Sequence, residues 1–500
     1  MDRRSFLTSL TLLGVTRKAR PPITGGFVND SHVLGHQLRD GLILAAPRET
    51  RRVAIAVVGG GIAGLSAAWR LQKRGMRDVV VLEMEPEAGG NARAGRNDVA
   101  AYPWAAHYVP VPGAQATLVR ELFEELGVVR DGEWDERHLC HAPQERLFIH
   151  GRWQEGLEPA VGPARRDRDQ MARFDERVRA LRASGEFTIP MAIGARPSPL
   201  DALSLAAWLD REGLDSPWLR WMLDYACRDD YGAVSADTSA WAGLHYFAAR
   251  EPDDPGPLTW PEGNGWITAK LLERVGEMVR TGSVVSRIAR DGTRWRVTTP
   301  RVAWLADAVI VAAPLFVAAR LIEGLGRPTD IAYSPWVTAN LTLDRWPAER
   351  GVPPAWDNVI FDSPGLGYVV ATHQSMRQYI PRTVWTYYWA LAAGSPDENR
   401  RWLLAQDWAT LRDRILADLS RAHPDIADCV TRVDVMRHGH GMVRPSVGFL
   451  SAPSRLRARA TAKDRLFFAH SDLSGLSLFE EAQYRGVTAA DRALESLGRG

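Results

Sequence analysis

Apolar residues recur along this chain with three spacings, and each predicts a different element. Continuous β-branched runs at 53–58 (VAIAVV), 79–82 (VVVL) and 307–311 (DAVIV) predict strands covered on both faces. Shorter runs predict further strands at 283–289 and 294–299, joined at Asp291-Gly292, and at 337–343, 385–391 and 465–469. Residues 146–153 read as a hairpin turning at His150-Gly151. A helical period predicts helices over 63–73, 114–126, 165–182, 200–227 and 400–422, another after Gly263-Asn264-Gly265 up to 279, and a last one from Glu480. Strands alternate with helices, so the expected class is α/β. No repeat or low-complexity tract interrupts the pattern.

The stretch 53–93 carries the strongest chemistry. Strand, glycine turn, helix, strand and acid follow one another in that order. Gly59, Gly61 and Gly64 fill the G-x-G-x-x-G slots. The first permits a tight turn, the second admits a pyrophosphate against the backbone, and the third lets helix pack on strand. Ile62 and Ala63 open a helix whose free N–H groups face the phosphates. Glu83 ends the next strand about 20 residues on, where a carboxylate grips ribose hydroxyls. A glycine-rich turn by itself is weak evidence, and an unrelated α/β turn is the alternative. The five features in order make the dinucleotide reading specific.

Composition narrows the class. At 500 residues two or more domains are expected. The 62 basic and 60 acidic residues balance, which argues against a nucleic-acid binder. Cys140, Cys227 and Cys429 are scattered without a C-x-x-C, so neither a metal cluster nor a disulfide framework is expected. The amino terminus, with Arg3-Arg4-Ser5-Phe6-Leu7 and a weakly apolar 7–15, resembles a twin-arginine export signal; a basic arm is the alternative. No small-x-small cleavage site follows. The expectation is a periplasmic protein delivered by the twin-arginine machinery and tethered by an uncleaved leader.

Taken in order, these motifs resemble the flavin-containing amine oxidases, FAD enzymes with a glutathione-reductase-like nucleotide fold, a group that includes carotenoid desaturases and protoporphyrinogen oxidases. Beside the glycine turn and Glu83, Gly89-Gly90-Asn91-Ala92-Arg93 is similar to the family's G-G-R segment. Residues 102–108 (YPWAAHY) resemble the loop beneath the isoalloxazine, and 260–265 (WPEGNG) resemble a helix start. Residues 283–288 (SVVSRI) are similar to the strand that receives the adenine, 307–314 (DAVIVAAP) to a further family strand, and 466–486 to the closing flavin motif. The resemblance implies a Rossmann-type FAD-binding domain with an inserted α+β substrate domain. The expected division is leader and arm 1–50, FAD-binding parts 51–115, 256–325 and 441–500, and substrate parts 116–255 and 326–440. It implies non-covalent FAD held by Gly59, Gly61, Ile62, Ala63, Gly64, Glu83, Gly90, Asn91, Arg93, Ala106, His107, Val285, Asp472 and Phe479. Asp472 would take a ribityl hydroxyl, and the N–H groups near Phe479 and Glu480 would face the flavin N1–C2=O edge.

The departures are equally specific. Asn91 stands where the family often has arginine. Thr338 or Asn340 stands where many members keep a lysine near flavin N5, and Leu478 or Phe479 where many keep a cage aromatic. No cysteine lies after Cys429 to attach the flavin.

For substrate contact the sequence leaves alternatives open. Trp385, Tyr387 and Trp389 share one strand face and either line a pocket or form core, the second reading being slightly favoured. His438 and His440 either line the flavin or form a surface turn. Tyr225, Asp229, Asp230 and Tyr231 either make an acidic, aromatic entry for a cation or end a solvated helix. His107 and Tyr108 either touch the flavin or pack, Arg93 either meets the pyrophosphate or is solvated, and Asp472 either binds ribityl or turns the chain. The expected activity is hydride transfer from a small amine to flavin N5, with oxygen or a quinone as the final acceptor. The alternatives are a carbon–carbon desaturase and a low-turnover flavoprotein acting as a binding partner.

Overall fold

The computed structural model describes residues 21–28, 31–41, 46–191, 198–250, 255–460 and 464–499. The Arg3-Arg4 export motif lies outside the described residues. Two large sheets organise the chain. The seven-stranded nucleotide sheet has Glu49–Val58 at its centre, flanked in parallel by Val79–Leu82 and by Val302–Val311. Leu466–Phe468 pairs in parallel with Val302–Val311. All six residues of 53–58 are buried, as a strand sandwiched between two layers requires. The glycine helix Ile62–Lys73 and the closing helix Phe479–Ser496 pack against each other on one face. Gly486 permits this contact: a Cβ there would lie 2.1 Å from the Ala63 carbonyl oxygen.

The eight-stranded second sheet is mixed. Its long strands Ala332–Leu343 and Val430–Arg444 run antiparallel, and Thr383–Ala390 pairs with the other side of the first. The helices Pro396–Ala405 and Trp408–Leu419 lie on one face over a core of Val337, Leu341, Trp385 and Tyr387. The other face turns toward the nucleotide domain and carries Trp336, Trp356 and Tyr388. The two-domain α/β architecture expected from sequence is thus the one observed.

Several boundaries differ from the sequence reading. Thr24–Phe27, placed in an arm, is a strand paired in parallel with Val430–Arg444 at the sheet edge. The nucleotide domain begins with Glu49, inside the supposed 1–50 segment. A division at 440/441 would cut the strand Val430–Arg444 in two. The helical stretch 200–227 breaks at Gly213 and Ser216 into Leu205–Arg211 and Pro217–Tyr231, because the glycine takes φ +66° and the serine caps a new helix. The stretch 400–422 is likewise two helices, the second capped by Asp407. The strand expected from Ser283 begins only at Arg287.

Candidate active site

The site starts at two glycine turns that face each other. Gly59 takes φ +107°, where a side chain would be strained, and a Cβ on Gly64 would sit 1.9 Å from the Gly59 oxygen. Gly61 is open, its nearest neighbour in the Cβ direction being the Gly90 Cα at 4.0 Å. The Gly89 N–H donates to the Gly60 oxygen at 2.8 Å, which locks the turns together. Between them lies a slot walled by backbone and headed by the glycine helix, whose first turn has no side-chain cap. Unpaired N–H groups and bare backbone fit the diphosphate of a dinucleotide.

Glu83 stands at the end of the slot where a ribose is expected. It is buried, and its two oxygens accept from Gly60 N (2.7 Å) and Glu85 N (2.8 Å). Burial pushes its pKa up while these backbone donors pull it back. A carboxylate has about four lone-pair sites, so capacity remains for a sugar hydroxyl. Ser283 N donates to the Glu83 oxygen and brings the buried Val285 alongside. Arg93 is buried rather than solvated, donating to the Gly90 oxygen at 3.0 Å and lying 3.8 Å from Glu85. Asn91 reaches across the domains, its amide donating to the Gly441 oxygen at 2.9 Å.

At the far end, the loop 104–108 is pinned from three sides. Ala106 N donates to the Asn91 oxygen, Asn264 N to the Ala106 oxygen, and the Tyr388 hydroxyl to the Ala105 oxygen. His107 stacks on Tyr388 with ring centroids 4.6 Å apart and leans on Trp356 at 5.5 Å. Desolvation lowers its pKa to about 4, so the ring is neutral at physiological pH. The closing helix begins at Phe479 without a side-chain cap, leaving N–H groups free, and Phe479 stacks on Phe123. Asp472 is fully engaged: Tyr333 hydroxyl (2.6 Å) and Leu315 N (2.8 Å) donate to one oxygen, and the His470 ring sits 2.9 Å from the other. Burial would raise its pKa, but His470 and these hydrogen bonds hold it below the usual value. It is a knot between three segments as well as a candidate ribityl ligand.

Thr338, one of the two residues expected where the family has lysine, lies with its hydroxyl 3.4 Å from His438 Nε2. Burial, then the Arg93 charge, lowers His438 to about 4. This corner therefore holds a neutral imidazole. Asn340 is committed elsewhere, donating to the Pro103 oxygen and accepting from Thr386. His440 is exposed and stacks on Phe316 at 4.2 Å.

The pocket assignment of Tyr387 and Trp389 is corrected. Tyr387 is 1% exposed and donates to Asp418; Trp389 packs on Trp402. Both face the helices Pro396–Ala405 and Trp408–Leu419, with Trp385. Side chains alternate along a strand, so the residue that turns to the site is the neighbour, Tyr388. The pair Asp229-Asp230 is not a solvated helix end either. Burial pushes Asp229 up to about 7, with Asp230 adding, and pushes Asp230 to about 6. Asp357 is driven well above its usual range by burial and by the charges of Glu145 and Asp229, and burial also raises Glu145. Asp357 and Glu145 are register partners on adjacent parallel strands, one strand spacing apart. Asp229 and Asp357 thus stand beside the rings of His107, Tyr108, Trp356 and Tyr388, forming an acidic and aromatic chamber whose third carboxyl, Glu145, is exposed. Arg250 balances part of the charge, 3.8 Å from Asp230. Sequence reasoning missed Trp356, Asp357, Glu145 and Tyr388; the strand pairing that joins them spans some 240 residues and leaves no local signal.

A family model described as flavin containing amine oxidoreductase matches residues 62–494. A curated relative, a probable flavin-containing monoamine oxidase A of Dictyostelium discoideum, is 22% identical over 290 residues; the match spans 53% of this chain and 58% of that protein. Among solved structures, wild-type putrescine oxidase bound to putrescine is similar with a TM-score of 0.66 at 16% identity, covering 88% of this chain and 99% of that one. Cyclohexylamine oxidase from Brevibacterium oxydans IH-35A matches with 0.66 at 15%, over 89% and 99%. A fatty acid isomerase from P. acnes matches with 0.64 at 15%, over 88% and 98%. At such identity these structures establish the fold, which evidently serves several chemistries.

Proposed function

The chain belongs to the flavin-containing amine oxidoreductase family, and from that premise we propose that this flavin-dependent oxidoreductase binds FAD non-covalently and oxidises a small amine. The observation that carries the reading is the chamber: aromatic rings beside the loop 104–108, with the carboxyls of Asp229 and Asp357 against them. When bound, the flavin supplies the acceptor for a hydride leaving a substrate carbon. The chain supplies the rest. An entering ammonium stabilises the ionised form of Asp229 and Asp357, which burial otherwise keeps protonated, and is held by the carboxylates so formed. The rings of His107, Tyr388 and Trp356 then disfavour its charge and release the neutral nitrogen that oxidation needs. The neutral His107 and His438 place no competing cation there. The resemblance of fold to putrescine and cyclohexylamine oxidases supports the same substrate class. Oxygen or a quinone as acceptor, and export through Arg3-Arg4, belong to this proposal.

Anaerobic mixing with mono- and diamines tests it. Bleaching of the flavin absorbance by amines is expected, with Asp229→Asn and Asp357→Asn each raising the concentration for half-maximal bleaching about tenfold or more. Bleaching by alkene or ring substrates and by no amine would replace the reading with desaturation. For export, Arg3→Lys with Arg4→Lys should hold the protein in the cytoplasm; unchanged fractionation refutes that part.

A further inference from the structure

Beside the start of the closing helix lies a cavity of about 180 Å³, lined by none of the residues of the acidic and aromatic chamber. Three helix ends meet at it. Arg182 comes from the last turn of Arg165–Ala183, Arg250 follows Ala240–Ala248, and Glu480 stands in the first turn of Phe479–Ser496. Each keeps one buried polar atom without a partner: Nε of Arg182, Nη1 of Arg250 and Oε2 of Glu480. Glu480 is 2% exposed. The remaining guanidinium groups are oriented, Arg182 Nη2 by the Phe247 oxygen at 2.9 Å and Arg250 by Asp230 and the Tyr246 ring. Two guanidinium groups bordering a cavity large enough for a ligand call for an acceptor. The two guanidiniums face three carboxyls, Asp229, Asp230 and Glu480, each of which burial pushes toward its neutral form. Glu480 is pushed up to about 7 by burial, against the pull of Arg250, so near neutrality it opposes an anion only in part. The volume corresponds to about six waters at ~30 Å³ each, the size of a short organic acid.

We propose that this cavity binds a small aliphatic monocarboxylate. Its oxygens accept from the guanidinium groups of Arg182 and Arg250, and its alkyl end rests on Val111, Phe187 and Ala248. A phosphate dianion fits less well, since Asp230 and Glu480 stand close by. The proposal holds whichever amine the chamber takes.

Carboxyl-¹³C propionate titrated into the flavin-loaded protein at constant chloride, followed by NMR line broadening, tests it. Saturable binding is expected. Arg182→Gln and Arg250→Gln should each weaken it about tenfold or more. Ala249→Leu, which fills the cavity, should abolish it while the flavin spectrum confirms the fold. Arg177→Gln, on the exposed side of the same helix and paired with Glu212, should leave it unchanged. Absence of saturation, or equal affinity in Arg182→Gln and Ala249→Leu, overturns the proposal: the cavity then holds only water. Competition between propionate and amine-driven bleaching distinguishes a carboxylate belonging to the substrate from a separate ligand; the pocket stands in both cases.

Discussion

Asp229 concentrates the energetic tension of the site. Its carboxyl keeps its proton to about pH 7 in the fold, against an ordinary value near 4 in the unfolded chain. The folded state therefore binds more protons than the unfolded state between these values, and stability falls as pH rises from about 4 to about 7, then levels. Asp229→Asn removes that penalty. In the ligand-free protein it should stabilise by on the order of 2 kcal/mol at pH 8 and progressively less toward pH 4, read as midpoints of urea unfolding across pH. A pH-independent effect would mean that the carboxyl is not desolvated. Glu83 makes a second residue-scale case. Both its oxygens already hold backbone N–H groups, so Glu83→Ala removes the expected ribose contact and loosens the Gly60 turn together. Flavin occupancy after purification should drop, with the loss only partly restored by excess FAD. Unchanged occupancy would count against the nucleotide assignment.

At the scale of elements, the crossing of the glycine helix and the closing helix is the decisive contact. Gly486 lies 2.1 Å, in the Cβ direction, from the Ala63 oxygen, which is backbone and has no means of yielding. Gly486→Ala must push the helices apart. The expected cost is about 1–3 kcal/mol by analogy with overpacked cores, together with loss of flavin, measured by thermal unfolding and the visible spectrum. A stable yellow Ala variant would show that the helices slide freely. The strand Thr383–Ala390 carries the complementary lesson. Its aromatic stripe was legible, but the side of the sheet it faces was not. Alternation fixes which residues share a face, and only the layer packed above decides whether that face is core or chamber.

At the scale of the molecule, the two sheets meet around the crevice, and cross-links such as Asn91 to Gly441 and Tyr388 to Ala105 bridge them. A cofactor bound in that crevice stabilises both domains at once. Added FAD should raise a single unfolding transition, by about 4 kcal/mol at a thousandfold excess over Kd. Two transitions, with only one shifted by FAD, would mean that the domains unfold separately.

The sequence by itself determined the nucleotide half: strand, glycine turn, helix and acid lie within some forty consecutive residues, and each signals its role through local backbone chemistry. The family resemblance and its departures, down to Thr338 or Asn340 in place of lysine, were readable for the same reason. Tertiary structure alone decided the chamber and the carboxylate cavity. Asp357 meets Glu145 through strand register, and Arg182 meets Glu480 across nearly 300 residues. Such encounters are set by how layers stack and which faces they bury, and no stretch of the chain encodes them locally.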